Sequence, residues 1–210
     1  MITITNILEC EQYLSDVQAV IFDLDDTLYS EKDYVRSGYQ AVAAGFPQIE
    51  DMAQKLWNAF EERRLAVDAV LAAEGLATDE NKAKALRLYR YQEPGIALYP
   101  GVEPLLKRLA LHKKLGIITD GRQEGQWAKI KALGIGCYFD KIIVTDELGG
   151  PEFRKPNEVA FRLIQQVLDV PFNKMVYIGD NIQKDFIAPL ALGMQVIHFN
   201  NRDSIYGMVL

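Results

Sequence analysis

One stretch, residues 19–28 with the sequence AVIFDLDDTL, constrains the fold of this chain most strongly. Its first four residues form an unbroken apolar run, which is typical of a strand buried on both faces of a parallel sheet. The run ends at Asp23 and Asp25, and ligands of open α/β sheets bind just beyond the carboxyl ends of strands. An extended chain places these two carboxylates on one side, where they need a cation or a shared proton. The stretch therefore predicts a metal site or an acid–base pair.

Composition narrows the class of protein. The chain has 210 residues, which suits one α/β domain with a modest insert, and its net charge of −6 argues against nucleic acid or an anionic membrane as the main partner. Cys10 and Cys137 are the only cysteines, and so distant a pair is no disulfide framework. We see neither a basic-then-apolar leader nor an apolar run long enough to span a bilayer. These features predict a cytoplasmic protein.

Residues 31–92 have a different character, because they are rich in Ala, Glu, Arg and Lys and show no strand pattern. Apolar residues recur at helical spacing over 49–60, and a second set, Val67, Val70 and Leu71, ends near Gly75. Thr78 is a candidate N-cap for a further helix. We therefore expect an all-helical domain over residues 30–95, inserted into an α/β core formed by residues 1–29 and 96–210.

Strand and helix patterns alternate in the rest of the chain, as in a βαβ array. The expected strands follow the first one, at 18–23: 115–119, 141–145, 175–178 and 196–199. The expected helices cover 5–14, 102–113, 123–133, a segment through 160–168, and 184–192. The fold class that this predicts is α/β: a Rossmann-like, doubly wound, mostly parallel sheet of about five strands, with the strand at 18–23 in the centre.

Three of these strands end in polar residues that should meet at one edge of the sheet. The endings are Asp23 with Asp25, then Thr119-Asp120-Gly121, and finally Gly179-Asp180, while Lys155 lies in a loop that can reach the same edge. A carboxylate can attack phosphorus, and carboxylates are ligands that Mg²⁺ prefers. A metal ion, a lysine and hydrogen-bond donors would together hold the phosphoryl oxygens. The set therefore indicates phosphoryl transfer.

Four short segments carry a resemblance to a known family. The segments DLDDTL, ITDG, the lysine of RKPN, and GDNIQKD resemble, in order and spacing, the four motifs of the haloacid dehalogenase (HAD) superfamily. The helical insert after the first motif is similar to the small cap of that family, whose job is to close over the site and select the leaving group. The resemblance covers roughly residues 17–200.

The resemblance implies a role for each matching residue. Asp23 would be the nucleophile and a Mg²⁺ ligand, and Asp25 would be the general acid and base, with its backbone carbonyl as a second metal ligand. Asp180 would bind Mg²⁺ directly, and Asp185 would bind it through water or orient Lys155. The phosphate-binding residues would be Thr119, Asp120, Gly121 and Lys155.

Several nearby residues keep a second interpretation. Arg154 is an alternative to Lys155, and the side chain of Asp120 is either a phosphate contact or structural. Asp26 is expected to be a turn or cap residue. Because a cation opposes the helix dipole at a helix start, we hypothesise that Arg122 touches the substrate or a cap carboxylate. The two histidines, His112 and His198, are expected to be structural and away from the motif edge.

The function that these residues imply is a Mg²⁺-dependent phosphatase. It would act on a small phosphorylated metabolite, namely a sugar phosphate, a nucleotide or phosphoglycolate, through an aspartyl phosphate. A phosphosugar mutase of the β-phosphoglucomutase kind and a pyrophosphatase remain alternatives, and a catalytically silent binding module is the least favoured. The presence of Asp25 disfavours dehalogenase activity, because the family's dehalogenases do not use an Asp two residues after the nucleophile. Phosphonate hydrolysis, with Lys32 or Lys55 as a Schiff base, is disfavoured.

Overall fold

A computed structural model describes residues 1–202 and 204–205 of the chain. In that part of the chain six parallel strands form one sheet in the order β1-β6-β5-β2-β3-β4. The strands are β1 (Ile2–Ile4), β2 (Ala19–Phe22), β3 (Lys114–Thr119), β4 (Lys141–Val144), β5 (Met175–Gly179) and β6 (Gln195–Phe199). The predicted α/β class, with its parallel sheet and inserted helices, is confirmed.

The described residues also form eight α-helices. They are α1 (Glu31–Ala44), α2 (Met52–Glu61), α3 (Ala66–Ala73), α4 (Asp79–Arg90), α5 (Val102–Ala110), α6 (Gln123–Leu133), α7 (Val159–Leu168) and α8 (Ile187–Ala191). The loop that contains Lys155 begins with two short 3₁₀ turns, Thr145–Leu148 and Pro151–Phe153. None of the helices in this part of the chain is long and apolar enough to cross a membrane.

Strand β2 lies inside the sheet because all four of its residues are apolar on both faces. It pairs with β3 on one side and β5 on the other, in a register that aligns Phe22 with Ile117 and Ile178. Each of its residues is fully buried. The backbone N–H of Asp23 continues the ladder by donating to Ile178 O at 2.8 Å. Asp23 therefore lies at the carboxyl end of an interior strand, where the chain leaves the sheet.

The α/β unit comprises Met1–Glu31 and the described residues from Ala97 onward. One face of its sheet packs against α7, whose apolar stripe presents Phe161, Ile164 and Leu168 to the core. In the centre of this face the ring of Phe161 meets the ring of Tyr177 edge to face, with centroids 5.1 Å apart. This contact joins α7 to β5, the strand that ends directly before Asp180.

The second unit, Lys32–Ile96, is helical throughout its regular structure. Its interior contains an aromatic cluster in which Tyr89 lies 5.9 Å from both Tyr34 and Tyr39 between ring centroids. Gly38 makes room for this cluster, because a Cβ there would lie 2.4 Å from the ring of Tyr89. The predicted helix N-cap is confirmed: Thr78 Oγ1 accepts the N–H of Asn81 at the start of α4.

At the beginning of the chain one expectation was wrong, and another is confirmed over a shorter range. The sheet has a further strand, β1, which pairs in parallel with β6 and brings the number of strands from about five to six. The predicted helix over 5–14 is a 3₁₀ helix over Ile7–Tyr13, whose N-cap Asn6 accepts the N–H of Leu8. A three-residue edge strand carries too little alternation to be recognised in a sequence.

Candidate active site

The polar strand endings surround a cavity of about 290 Å³ at the carboxyl edge of the sheet. Every residue that lines it belongs to the α/β unit. The lining consists of Asp23, Asp25, Glu31, Asp120, Arg154, Lys155, Asp180, Asn181 and Lys184. Carboxylates and cations thus face one small volume, which is the arrangement that the strand endings predicted.

Lys155 is the centre of the buried charges. Its Nζ lies 2.7 Å from Asp23 Oδ1 and 2.8 Å from Asp185 Oδ1, and it donates to Tyr177 Oη at 2.9 Å. Burial opposes the ammonium charge, but the two carboxylates outweigh it and raise the pKa of Lys155 well above its ordinary value. Lys155 therefore stays charged beside Asp23.

Arg154 points elsewhere, although it was the alternative to Lys155. Its guanidinium pairs with Asp146 through two contacts of 2.7 Å, one to each carboxylate oxygen. This fork geometry occupies Arg154 at the rim of the cavity. The lysine of the loop is accordingly the residue that reaches Asp23.

Three carboxylates lie close enough to share a cation. One oxygen from each of Asp23, Asp180 and Asp185 falls within a group whose atoms are all within 4.8 Å of one another. Burial and the neighbouring carboxylates raise the pKa of Asp180 to about 8. Burial raises that of Asp23 to about 7, although the ammonium of Lys155 opposes this rise. A hard divalent cation fits this crowded oxygen set, and would relieve the repulsion that the pKa values record.

Further contacts fix the two carboxylates that come from the GDNIQKD segment. Asp185 Oδ2 accepts the N–H of Asn181 at 2.9 Å, while its Oδ1 faces Lys155. Asp180 Oδ2 accepts the hydroxyl of Ser204 at 2.9 Å. Asp185 thus has the geometry of a residue that orients Lys155 while remaining inside the candidate metal group.

Asp25 turns away from the carboxylate group and toward α6. Its Oδ1 lies 2.7 Å from Lys129 Nζ, its Oδ2 accepts from Gln126 Nε2 at 2.8 Å, and the hydroxyl of Tyr29 donates to Oδ1. Burial favours the neutral acid, but the Lys129 ammonium outweighs it and holds the pKa of Asp25 below its usual value. The two carboxylates of the DLDD segment therefore lie in different environments.

The ITDG segment brings one hydroxyl to the site. Thr119 is fully buried at the end of β3, and Gln126 Nε2 donates to its Oγ1. Gly121 has a φ of +137°, and a Cβ at that position would lie 3.2 Å from the side chain of Gln126. Glycine is therefore needed where the chain turns from β3 into α6.

The side chain of Asp120 is used within the protein. Its Oδ1 accepts from Thr145 Oγ1 and from the backbone N–H of Lys155, both at 3.0 Å, and its Oδ2 lies 3.0 Å from Lys184 Nζ. Burial tends to raise its pKa, but the ammonium groups of Lys155 and Lys184 outweigh burial and lower it. The structure thus supports the structural interpretation of this side chain, which joins the ITDG and RKPN segments.

The structure also shows where three other residues of the sequence analysis lie, namely Asp26, Arg122 and His198. The expectation for His198 was partly wrong. Asp26 adopts a left-handed φ of +52°, and its Oδ1 accepts the N–H of Glu31 at the start of α1, as expected of a turn and cap residue. Arg122 immediately precedes α6 and is exposed. His198 is not away from the motif edge, because its Nε2 lies 3.1 Å from the backbone carbonyl of Asp180.

Sequence reasoning missed several residues of the site, namely Tyr29, Glu31, Gln126, Lys129, Asn181, Lys184 and Ser204. Gln126 and Lys129 are three apart, so they share a face of α6, but polar residues on a helix usually indicate a solvated face. They are buried by contacts with Asp25 and Thr119, which a helical pattern alone does not reveal. Ser204 lies after the last strand, and no pattern links it to Asp180.

Comparisons with known proteins identify the family to which this chain is similar. The family model for haloacid dehalogenase-like hydrolases matches residues 17–193. A glyceraldehyde 3-phosphate phosphatase of Methanocaldococcus jannaschii is 28% identical over 200 residues, which cover 85% of this chain and 82% of that protein. The 5-amino-6-(5-phospho-D-ribitylamino)uracil phosphatase YigB of Escherichia coli is 26% identical and covers 87% of this chain and 83% of its own.

A solved structure shows the same fold. The HAD-hydrolase YfnB of Bacillus subtilis, in a crystal form bound to magnesium, superposes with a TM-score of 0.64 at 22% identity. The match covers 87% of this chain and 86% of that one. Since the family model spans most of the sequence and the site unites all four motif segments, the chain belongs to the haloacid dehalogenase-like hydrolases.

Proposed function

We propose that this chain is a Mg²⁺-dependent phosphatase that hydrolyses a small phosphorylated metabolite through an aspartyl phosphate on Asp23. The observation that carries the proposal is the buried contact of 2.7 Å between Lys155 Nζ and Asp23 Oδ1 inside a small cavity. A charged lysine against a carboxylate prepares a place for an anion next to a nucleophile. The cavity volume of about 290 Å³ suits a small ligand.

The relatives support the same class of reaction. The chain is a hydrolase by family, and several relatives that cover more than four fifths of its length act on phosphate esters. The names of three of them specify glyceraldehyde 3-phosphate, and another specifies pyrimidine 5′-nucleotides. We therefore place short sugar phosphates first among the candidate substrates and nucleotides second.

In the first half of the proposed reaction, the carboxylate of Asp23 attacks phosphorus and the ester oxygen departs. Lys155 faces the nucleophile and neutralises charge on the phosphoryl oxygens. The hydroxyl of Thr119 can donate to one of these oxygens if Gln126 keeps its amide oriented. Because the side chain of Asp120 is a carboxylate held by Lys184, its contribution to phosphate binding falls to the backbone N–H.

Asp25 has the proton-transfer role in both halves of the reaction. It donates a proton to the departing oxygen, and then, as a carboxylate, accepts a proton from the water that attacks phosphorus and releases Asp23, which restores the acid form. Because Lys129 holds the pKa of Asp25 low before substrate binds, the acid form has to be favoured by the negative charge of the bound phosphate. Its separate environment suits this role, since its contacts are with Tyr29, Gln126 and Lys129 and not with Asp23. The hydrolysis products are the alcohol and inorganic phosphate.

The oxygen ligands for Mg²⁺ would come from Asp23 and Asp180, with Asp185 directly or through water and the backbone carbonyl of Asp25. When bound, the ion supplies positive charge that polarises the phosphoryl group and lets an acidic protein accept an anion. Asp185 would also position Lys155, because its Oδ1 lies 2.8 Å from Lys155 Nζ.

We also place the protein in the cytoplasm. Both cysteines are free thiols, Cys10 buried and Cys137 exposed. An exposed free thiol is suited to a reducing compartment.

A substrate panel tests the proposed function. Phosphate release is measured with Mg²⁺ and with a chelator for triose, pentose and hexose phosphates, nucleotides, phosphoglycolate and pyrophosphate. The proposal predicts Mg²⁺-dependent release from one or more monoesters and none from Asp23→Asn. Activity confined to pyrophosphate, or isomerised sugar without phosphate release after priming with a bisphosphate, would replace it with pyrophosphatase or mutase. Binding of Mg²⁺ without turnover of any compound would favour a silent module.

A further inference from the structure

Helix α6 places two buried polar side chains against the proposed acid–base residue. Gln126 is 3% exposed and Lys129 is 4% exposed, whereas their neighbours Gln123, Glu124 and Trp127 are exposed. Lysine is almost never buried without a charged partner, because moving an ammonium group out of water is costly. The partner here is Asp25, at 2.7 Å.

The contacts form a closed arrangement around one carboxylate. Lys129 Nζ binds Asp25 Oδ1 and also donates to Gln126 Oε1 at 2.7 Å. Gln126 Nε2 binds the other oxygen, Asp25 Oδ2, at 2.8 Å. Gln126 and Lys129 therefore hold each other in place, and together they hold both oxygens of Asp25. A carboxylate held at both oxygens has a defined direction for proton transfer.

The same arrangement reaches the phosphoryl-binding side of the site. The amide of Gln126 donates to Thr119 Oγ1 as well as to Asp25. Because an amide group is planar, its contact with Asp25 constrains its contact with Thr119. One side chain thereby connects the proposed acid–base residue to the hydroxyl that, in the proposed function, donates to a phosphoryl oxygen.

We propose that Gln126 and Lys129 are positioning residues for the proton-transfer step, which hold the carboxyl group of Asp25 in one orientation at the cavity and keep it in register with Thr119. This inference rests on the proposed function, in which Asp25 donates the proton to the departing oxygen. The proton passes from the Asp25 carboxylic acid to the oxygen as the phosphorus–oxygen ester bond breaks. Neither α6 side chain exchanges a proton with the substrate in this account.

The leaving group distinguishes positioning from a merely structural role. An alkyl alkoxide is a poor leaving group and needs the proton, whereas p-nitrophenolate leaves readily without one. The ratio of kcat/KM for an alkyl phosphate to that for p-nitrophenyl phosphate therefore reports proton transfer. The fraction of folded enzyme cancels from this ratio, so a variant that folds poorly still gives an answer.

The variants are Lys129→Met, Lys129→Arg and Gln126→Leu, with the exposed residues Lys131→Met and Gln123→Leu of the same helix as matched controls. The alkyl substrate is whichever monoester the wild-type enzyme hydrolyses best. We expect Lys129→Met and Gln126→Leu to lower the ratio by roughly 10- to 100-fold when each variant is measured at its own optimum pH. Lys129→Arg should restore part of it, and the controls should leave it unchanged.

Two results would overturn the inference in different ways. If Asp25→Asn collapses the ratio but Lys129→Met and Gln126→Leu lower both substrates equally or not at all, the positioning role is wrong and the proposed function stands. If Asp25→Asn itself leaves alkyl phosphate hydrolysis intact, the assigned role of Asp25 in the proposed function fails, and the inference fails with it.

Discussion

The ammonium group of Lys155 lies 2.7 Å from Oδ1 of Asp23, with the two side chains 0% and 5% exposed. The contact joins residues 132 positions apart in sequence, one directly after β2 and the other in the loop after β4. Asp185 approaches the same ammonium group at 2.8 Å. A single buried cation thus stands between two carboxylates, and its removal has consequences for both stability and chemistry.

Replacing this cation should destabilise the fold. Lys155→Met leaves Asp23 and Asp185 buried together without their closest counter-charge, and breaking such a pair costs roughly 3–5 kcal/mol. Because carboxylates that take up protons lose their repulsion, the loss should be smaller at pH 5.5 than at pH 8.5. Urea unfolding of the metal-free protein measures both values, with the exposed Lys131→Met as a control. A loss below about 1 kcal/mol at pH 8.5 would contradict the buried contact.

Stability without metal should fall as the pH rises. The pKa values of Asp23 and Asp180 in the folded protein are about 7 and about 8, above their ordinary value of 3.8. The folded state therefore binds protons more tightly than the unfolded state. The stabilisation is complete below about pH 4, and it is lost as the pH rises through 7 and 8. We expect the Tm in a chelator to decrease between pH 6 and pH 9.

Magnesium should reverse this trend, because the cation competes with protons for the same oxygens. The rise in Tm on adding saturating Mg²⁺ should be larger at pH 9 than at pH 6. Differential scanning fluorimetry with Mg²⁺ and with a chelator provides the comparison, and Asp180→Asn is the matched variant. A Mg²⁺ effect of equal size at both pH values would show that the ion binds elsewhere.

Ser204 should affect the affinity of the proposed metal site for Mg²⁺. Its hydroxyl donates to Asp180 Oδ2 at 2.9 Å and is buried. Removing a hydrogen bond to a metal ligand commonly weakens metal binding by 10- to 100-fold. Ser204→Ala is therefore expected to raise the Kd for Mg²⁺ by about 10-fold in calorimetric titration. The exposed Ser15→Ala is the control, and an unchanged Kd in both variants would refute this role.

The central strand of the sheet and helix α6 were predicted from the sequence better than the edge strand β1. Strand β2 was evident because every one of its residues is apolar, and α6 was predicted over the same residues, 123–133, that it occupies, since Gly134 ends it with a left-handed φ of +67°. Strand β1 was missed because it is three residues long and owes its position to pairing with β6. Tertiary pairing of this kind leaves little trace in local sequence.

The site shows the same division. The strand endings located Asp23, Thr119 and Asp180, because parallel strands bring their carboxyl ends to one edge. Gln126 and Lys129 of α6 could not be found this way, since they are buried against Asp25, which lies 101 and 104 residues away in the sequence. A polar residue on α6 can be recognised as part of the site only when its contacts with distant segments are known.

The central claim, that Asp23 carries the phosphoryl group, is tested most directly by trapping it. Enzyme with Mg²⁺ is mixed with a hydrolysable aryl phosphate, quenched in acid within milliseconds, digested and analysed by mass spectrometry. The account predicts a phosphoryl group on the peptide that contains Asp23, labile to hydroxylamine and absent from Asp23→Asn. To separate slow formation from fast breakdown, Asp25→Asn is quenched in parallel and should retain the label longer. Turnover with the phosphoryl group on another residue, or undiminished turnover by Asp23→Asn, would contradict the account.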